Sequence, residues 1–254
     1  MLQNEDNTLN IAIEAAEIAA DFLMNNMLNR EVTLKEDGSP LTKLDKISQK
    51  LIVDHIKGYF PHDSILAEES GRISGSTSRL WIIDPIDGTS NYSNGFPFCG
   101  INISLVCESI PMVSVTRSVF QQEYVYRFHN EAFVYCGDLF NPIKSNNCVI
   151  IDSIPADVNR SKIKKIASTY YEARTPIRSL GSAALGIMYV ILGRASAYFA
   201  PRLHIWDVAP GLHFAKDDDS IKVINLDYLP WQEGDQGFGI IRNDCLIAEN
   251  IFGG

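Results

Sequence analysis

Residues 81–105 read WIIDPIDGTSNYSNGFPFCGINISL. With Leu80 in front, Trp81-Ile82-Ile83 is a fully apolar run, which predicts a buried strand. The run meets Asp84-Pro85. Proline has no N–H to give a central ladder, so the strand must stop or bend there. Asp87-Gly88-Thr89-Ser90-Asn91 then reads as a sharp turn into a short helix, and 99–107 as the next strand. An apolar strand that ends in an acid sets that acid on the rim of a sheet, where open α/β folds place ligands.

The same signature occurs just before it. Ser64-Ile65-Leu66-Ala67 predicts a short strand stopped by Glu68-Glu69, followed by a polar loop at 70–79. Further strands are expected at 112–120, 123–128 and 131–136, with turns at 108–111 and at His129-Asn130. Towards the N-terminus, 9–28 predicts an amphipathic helix with Ile11, Ala15, Ile18 and Phe22 on its apolar face. Residues 35–40 join charge, glycine and proline in a turn. A second helix is expected over 42–59, its apolar face formed by Ile47, Leu51, Ile52, His55 and Ile56. After a loop at 137–147 come a short strand at 148–151 and a helix at 158–167. A helix at 182–193 is opened by Ser182 and stopped by Gly193. A strand at 195–199, a helix over 206–216 and a tail of short strands and turns complete the chain. Neither an internal repeat nor a long linker interrupts it. One domain over 1–254 is expected, with two lobes meeting near 140–155 as the other arrangement.

The 254 residues are 46% hydrophobic, enough for a large core. The formal net charge of -9 argues against a nucleic-acid polymer as partner, since a polyanion binder carries a basic face. The five cysteines, at 99, 107, 136, 148 and 245, include no CxxC pair, and reduced thiols in a cytoplasmic protein are expected. Residues 1–10 lack a basic region followed by an apolar one, so no signal peptide is expected, and no apolar stretch reaches the ~20 residues of a membrane span.

Asp84-Pro85-Ile86-Asp87-Gly88-Thr89 carries the sharpest chemical signal. Two acids three apart around a proline can fold about one hard cation, which takes carboxylate and carbonyl oxygens. Gly88 permits close backbone approach. An ordinary acidic turn with a helix cap would look the same in isolation. Glu68-Glu69 reads either as a metal corner or as a solvated rim pair. Asp207, in Trp206-Asp207-Val208-Ala209-Pro210, reads either as a ligand or as the N-cap of the helix that follows. Asp45 alone is a surface charge. The histidines have no metal-binding spacing, and neither GxGxxG nor GxxxxGK[ST] is present. No serine, cysteine or histidine has the surroundings of an activated nucleophile.

These blocks, Ala67-Glu68-Glu69-Ser70, 81–89 and Trp206-Asp207-Val208-Ala209, resemble the inositol monophosphatase family of lithium-sensitive, magnesium-dependent phosphatases, over roughly residues 10 to 250. The resemblance implies an α+β fold, a layered α/β/α/β/α sandwich shared with fructose-1,6-bisphosphatase, and a homodimer. It implies Mg2+ held by Glu68, Asp84, Asp87, Asp207 and the Ile86 carbonyl, with Glu69 secondary. It implies a water activated by Glu68 and by a Thr89–Asp45 pair, and phosphate held by the backbone of Gly88 and Thr89. Two departures stand out. Ala200 replaces the glutamate that, seven residues before the WD aspartate, contacts sugar hydroxyls in the family; Arg202 could bind a second anionic group there. Lys216-Asp217-Asp218-Asp219-Ser220 is also unlike the family. The expected activity is hydrolysis of a small soluble phosphate monoester by metal-activated water, without a phosphoenzyme. Inositol phosphate stands ahead of histidinol phosphate, fructose-1,6-bisphosphate and a 3'-phosphoadenosine nucleotide. A metal-binding regulatory protein without turnover is the reading of a different class.

Overall fold

The apolar run at 80–83 lies inside a longer strand, at the heart of a sheet. The structure, a computed structural model, describes residues 2–27, 32–34, 40–121, 123–135, 148–152, 160–235, 237–243 and 245. The chain divides into two units, Met1–Leu139 and Phe140–Gly254. The expected loop at 137–147 and most of the turn at 35–40 lie outside the described residues, as does Cys136.

The first unit holds helices α1 (Leu2–Asn25), α2 (Lys43–Tyr59) and α3 (Thr89–Asn94). A small hairpin, β1 (Val32–Leu34) with β2 (Pro40–Thr42), precedes α2. The main strands are β3 (Ser64–Ala67), β4 (Gly71–Ile73), β5 (Arg79–Asp87), β6 (Gly100–Cys107), β7 (Ile110–Ser118), β8 (Tyr124–Phe128) and β9 (Glu131–Tyr135). They form one seven-stranded sheet in the order β4-β3-β5-β6-β7-β8-β9. Only the β3–β5 pairing is parallel. The short β4 lies inside the stretch expected to be a polar loop. It pairs with β3 at the sheet edge, where a half-exposed strand needs no apolar pattern.

Trp81, Ile83, Ile101, Ile103, Val113 and Val115 share one sheet face and pack with α1 and α2 in one core. The buried face of α1 is not the one its largest side chains suggest. Ile18 is 38% exposed, while Ala12, Ala15, Ala16, Ala19 and Ala20 are fully buried with Ile11 and Leu23. Small residues bring the helix close to the sheet, so the alanine stripe faces inward and the bulkier residues lie at its border. The start of β5 is clamped by Asp63, which is buried. Its carboxylate accepts from Trp81 Nε1 at 2.9 Å, Arg79 Nε at 2.8 Å and Thr77 Oγ1 at 2.9 Å.

The second unit holds β10 (Val149–Ile151), α4 (Arg160–Glu172), β11 (Ile177–Arg178), α5 (Ala183–Ile191), β12 (Ala197–Ala200), α6 (Ile205–Ala215), β13 (Ile221–Ile224) and β14 (Phe238–Arg242). Its five-stranded sheet has the order β11-β10-β12-β14-β13. Alternation along the strands separates two cores. Val149, Ile151, Ala197 and Phe199 pack with Ile163, Ile166 and Tyr170 of α4. Ile150, Tyr198, Ala200, Phe238 and Ile240 pack with Ala183, Ile187 and Val190 of α5 and Val208 of α6. Ser182 caps α5 as expected, accepting from Leu185 N at 3.3 Å, and Gly193 follows its end with a positive φ of 70°.

Helix α5 rests on β12 through Gly186, where an added Cβ would lie 2.4 Å from Tyr198 Cδ2. Replacing a helical glycine by alanine normally gains up to ~1 kcal/mol. Here the buried ring leaves no room, and Gly186→Ala is expected to destabilise the protein by ~1–3 kcal/mol, the cost of overpacking. A urea titration measures this, and an unchanged or raised midpoint would refute the close packing.

Candidate active site

The proline in β5 bends the strand without ending it. Asp84 pairs with Asn102 and Asp87 with Gly100, so three steps along β5, from 84 to 87, oppose two along β6, from 102 to 100. One extra residue has been inserted, a β-bulge, which is where a proline that cannot feed the ladder is tolerated. The bulge has a consequence for the acids. In a regular strand, residues three apart point to opposite faces. Asn102 and Gly100 are two apart on β6 and share a face, so their partners Asp84 and Asp87 share it too.

Side-chain hydrogen bonds hold the bulge at three points. Asp84 Oδ1 accepts from Ile86 N at 3.1 Å. The Pro85 carbonyl accepts from Ser48 Oγ of α2 at 3.0 Å, and the Ile86 carbonyl from Thr89 Oγ1 at 3.1 Å. Gly88 follows with φ 89° and ψ 38°, a left-handed conformation that strains any residue with a Cβ, and its carbonyl begins α3 by accepting from Tyr92 N at 3.0 Å.

Glu68 reaches the same rim from the parallel neighbour. Ala67 pairs with Ile83, and Glu68 N donates to the Ile83 carbonyl at 3.2 Å, so Glu68, just past the end of β3, lies beside Asp84 of β5. Glu69 N is held at 2.8 Å by Gln49 Oε1 of α2. Asp84 is 1% exposed, and Glu68 is half-buried.

Asp45 is the third residue of α2 and closes a capping box. Its Oδ2 accepts from Thr42 N at 2.8 Å and Thr42 Oγ1 at 2.6 Å, while Leu44 N donates to Thr42 Oγ1 at 3.1 Å. Its Oδ1 accepts from Thr89 Oγ1 at 2.8 Å. The Thr89 proton is thus shared between a buried carboxylate and the Ile86 carbonyl. Burial pushes the Asp45 carboxyl above its ordinary value; the Thr42 and Thr89 hydrogen bonds pull it back, and the charge of Glu68 adds to the rise. Far from being surface charge, Asp45 is completely buried.

The buried side of α2 explains what sequence periodicity missed. Ile47 is exposed, and Leu44, Asp45, Ser48, Gln49, Ile52 and Ile56 face inward. Asp45, Ser48 and Gln49 stand at helical spacing on the same line as Ile52 and Ile56. Polar residues continuing an apolar line are the signal that would have found Ser48 and Gln49, which hold the acid-bearing loops in place.

In the second unit, α6 begins one residue earlier than expected. His204 is the N-cap, and Asp207 is the third helical residue, so Asp207 is not the N-cap that the sequence left open. Asp207 Oδ2 accepts from His204 N at 2.6 Å. Ala200 ends β12 with its side chain in the hydrophobic core, 1% exposed, whereas Arg202 is exposed. Asp152 too follows an apolar strand, a signal of the same kind as at Glu68 and Asp84. Its Oδ1 accepts from Ser179 Oγ at 3.0 Å, Leu180 N at 2.8 Å and Gly181 N at 2.9 Å, gathering the turn that leads into α5.

Residues 4–215 match the profile of the inositol monophosphatase family. The chain belongs to that family. As an inositol monophosphatase family member it is similar to the Nus factor SuhB of Vibrio cholerae, 32% identical over 223 residues, covering 84% of this chain and 83% of the relative. It is also similar to the fructose-1,6-bisphosphatase/inositol-1-monophosphatase of Thermotoga maritima, 33% identical over 181 residues, covering 70% and 68%. Among solved structures, a Thermotoga maritima IMPase superposes with a TM-score of 0.80 at 28% identity over 96% of this chain and 95% of that one. The extragenic suppressor protein suhB of Bartonella henselae shares the fold with a TM-score of 0.83 at 23% identity, over 93% and 94%. The α+β fold is therefore that of the family. The family match ends at Ala215, the last residue of α6. The unusual segment follows it as an exposed turn, in which Asp218 Oδ1 accepts from Ser220 N at 2.9 Å.

Ser48 is fully buried, and Ser48→Ala would leave the Pro85 carbonyl without its donor. The variant is expected to lose ~1–3 kcal/mol in a urea titration, the cost of one unsatisfied buried group. Wild-type stability would mean that the bulge does not need α2.

Proposed function

We propose that this protein hydrolyses a small, soluble phosphate monoester with Mg2+, in the cytoplasm and as a homodimer. The Thr89 hydroxyl bonded to buried Asp45, beside the bulge that turns Asp84 and Asp87 to one face, carries the reading. The donor set fits the ion. Glu68, Asp84, Asp87 and the Ile86 carbonyl offer hard oxygen ligands of the kind Mg2+ takes, and Asp207 of the second unit is assigned to the same set. Acids gathered in a buried corner repel one another, and a divalent cation removes that penalty. When bound, Mg2+ supplies charge neutralisation on the phosphoryl group and makes water a stronger nucleophile.

The remaining work falls to the chain. Thr89 Oγ accepts one proton of the attacking water while its own proton goes to Asp45 Oδ1. A carboxyl held above its ordinary value is a better base near neutral pH than an exposed aspartate. Glu68, on the adjacent strand, orients the same water. Water's oxygen bonds to phosphorus as the ester P–O bond breaks, and the departing alcohol oxygen takes a proton from solvent. The backbone of Gly88 and Thr89 holds the phosphate. Inositol phosphate is the first candidate substrate. Histidinol phosphate, fructose-1,6-bisphosphate and a 3'-phosphoadenosine nucleotide follow; exposed Arg202 can meet the second anionic group of the last two. The second reading is a metal-binding regulatory protein without turnover, and relatives named Nus factor SuhB favour its regulatory part.

Phosphate release from these four substrates, with Mg2+ and with chelator, separates the two readings. Magnesium-dependent turnover of one of them is expected, and binding without turnover would favour the regulatory protein. On the substrate that is turned over, Thr89→Ala is expected to lower kcat by ~10²–10⁴-fold, the range for lost proton transfer. The magnesium midpoint should stay in place, since the cation is assigned to carboxylates. A large midpoint shift at unchanged kcat would contradict the role given to Thr89.

A further inference from the structure

Asp84, Asn102 and Thr116 are paired directly across β5, β6 and β7. Residues opposite one another in a ladder share a face, with Cβ atoms ~4.5–5.5 Å apart. All three are buried, Asp84 and Asn102 at 1% exposure and Thr116 at 4%. The other face of the same strands is filled by Ile101, Ile103, Val113 and Val115. A buried amide between two strands costs free energy unless its groups are bonded, so packing alone would favour an aliphatic residue at 102.

The amide is oriented. Thr116 Oγ1 donates to Asn102 Oδ1 at 2.8 Å, which assigns the carbonyl end of the amide to the β7 side. An amide that accepts at its oxygen still carries two N–H donors. On the other side of Asn102, Asp84 is the residue opposite on β5. The neighbouring Ser104 and Ser114 differ, because their hydroxyls bond each other at 3.0 Å and have no acid across the ladder; Ser104 lies opposite Ile82.

We infer that Asn102 is a positioning residue for Asp84. Its NH2 donates to the Asp84 carboxylate, and Thr116 fixes which way the amide faces. Ile86 N already holds Asp84 Oδ1, so a donor from β6 sets the carboxylate's rotation and fixes the lone pairs offered to a cation. Outer partners of this kind commonly change metal affinity by about 10–100-fold when removed. The inference rests on the assignment of Asp84 as a Mg2+ ligand.

Calorimetric titration of the full chain with Mg2+ alone tests it, with urea midpoints measured in chelator as the control for folding. Asn102→Ala is expected to weaken Mg2+ binding by about 10–100-fold. Thr116→Val, which frees the amide to turn, should weaken it less. The double variant Asn102→Leu with Thr116→Val removes the amide together with its Thr116 partner, so neither of those two side chains is left with an orphaned polar group, and its midpoint in chelator reads whatever stability the Asp84 side loses. It should bind Mg2+ as poorly as Asn102→Ala. If wild-type protein binds and the double variant binds equally well, Asn102 is structural only and the inference fails while the metal reading stands. If wild-type protein shows no Mg2+ binding, the metal reading itself fails and takes the inference with it.

Discussion

One inserted residue in β5 is the constraint on which the rim of the first unit depends. Two acids three apart in a regular strand would point to opposite sides of the sheet. The bulge around Pro85 cancels that alternation and turns Asp84 and Asp87 to the same face. It also takes the Pro85 and Ile86 carbonyls out of the regular ladder, and each finds a side-chain donor, Ser48 and Thr89. Proline is suited to this place because the ladder has no N–H to lose there. The left-handed Gly88 then redirects the chain into α3 and brings Thr89 beneath the bulge.

Helix α2 meets this irregular strand with its polar end. Asp45 belongs at once to a helix cap and to the site, since one oxygen closes the box with Thr42 and the other receives the Thr89 hydroxyl. A capping carboxylate is ordinarily exposed and easily exchanged. Here it is buried, and the same carboxylate that closes the helix cap also accepts from Thr89. Helix capping and the proposed proton transfer therefore share this residue.

Much of this was legible in the chain. Acids at the ends of apolar runs located Glu68, Asp84 and Asp87, because the end of a buried strand is a local property. The extent of α2 and the Ser182 cap followed from helix signals in the same way. Local pattern could say that Pro85 must interrupt the strand, but a bend with an extra residue depends on the register with β6. The alanine face of α1 is not legible from hydrophobic size, because close approach to the sheet outweighs side-chain bulk there. Asp45 was recognised only through family resemblance, although its line with Ser48, Gln49, Ile52 and Ile56 marks a buried polar corner. The Asn102–Thr116 pair was illegible, since it exists only once β6 and β7 are in register.

The proposed function rests on the charge of Asp84, as distinct from the hydrogen bond by which the same side chain holds the bulge. Asp84→Asn keeps the size of the side chain and an oxygen for Ile86 N, but removes the charge that a divalent cation requires. Phosphate release from the turned-over monoester across a magnesium titration, beside a urea titration of the same variant in chelator, tests this most directly. A folded protein with turnover abolished is expected. Near-wild-type turnover at low magnesium would contradict the proposed function.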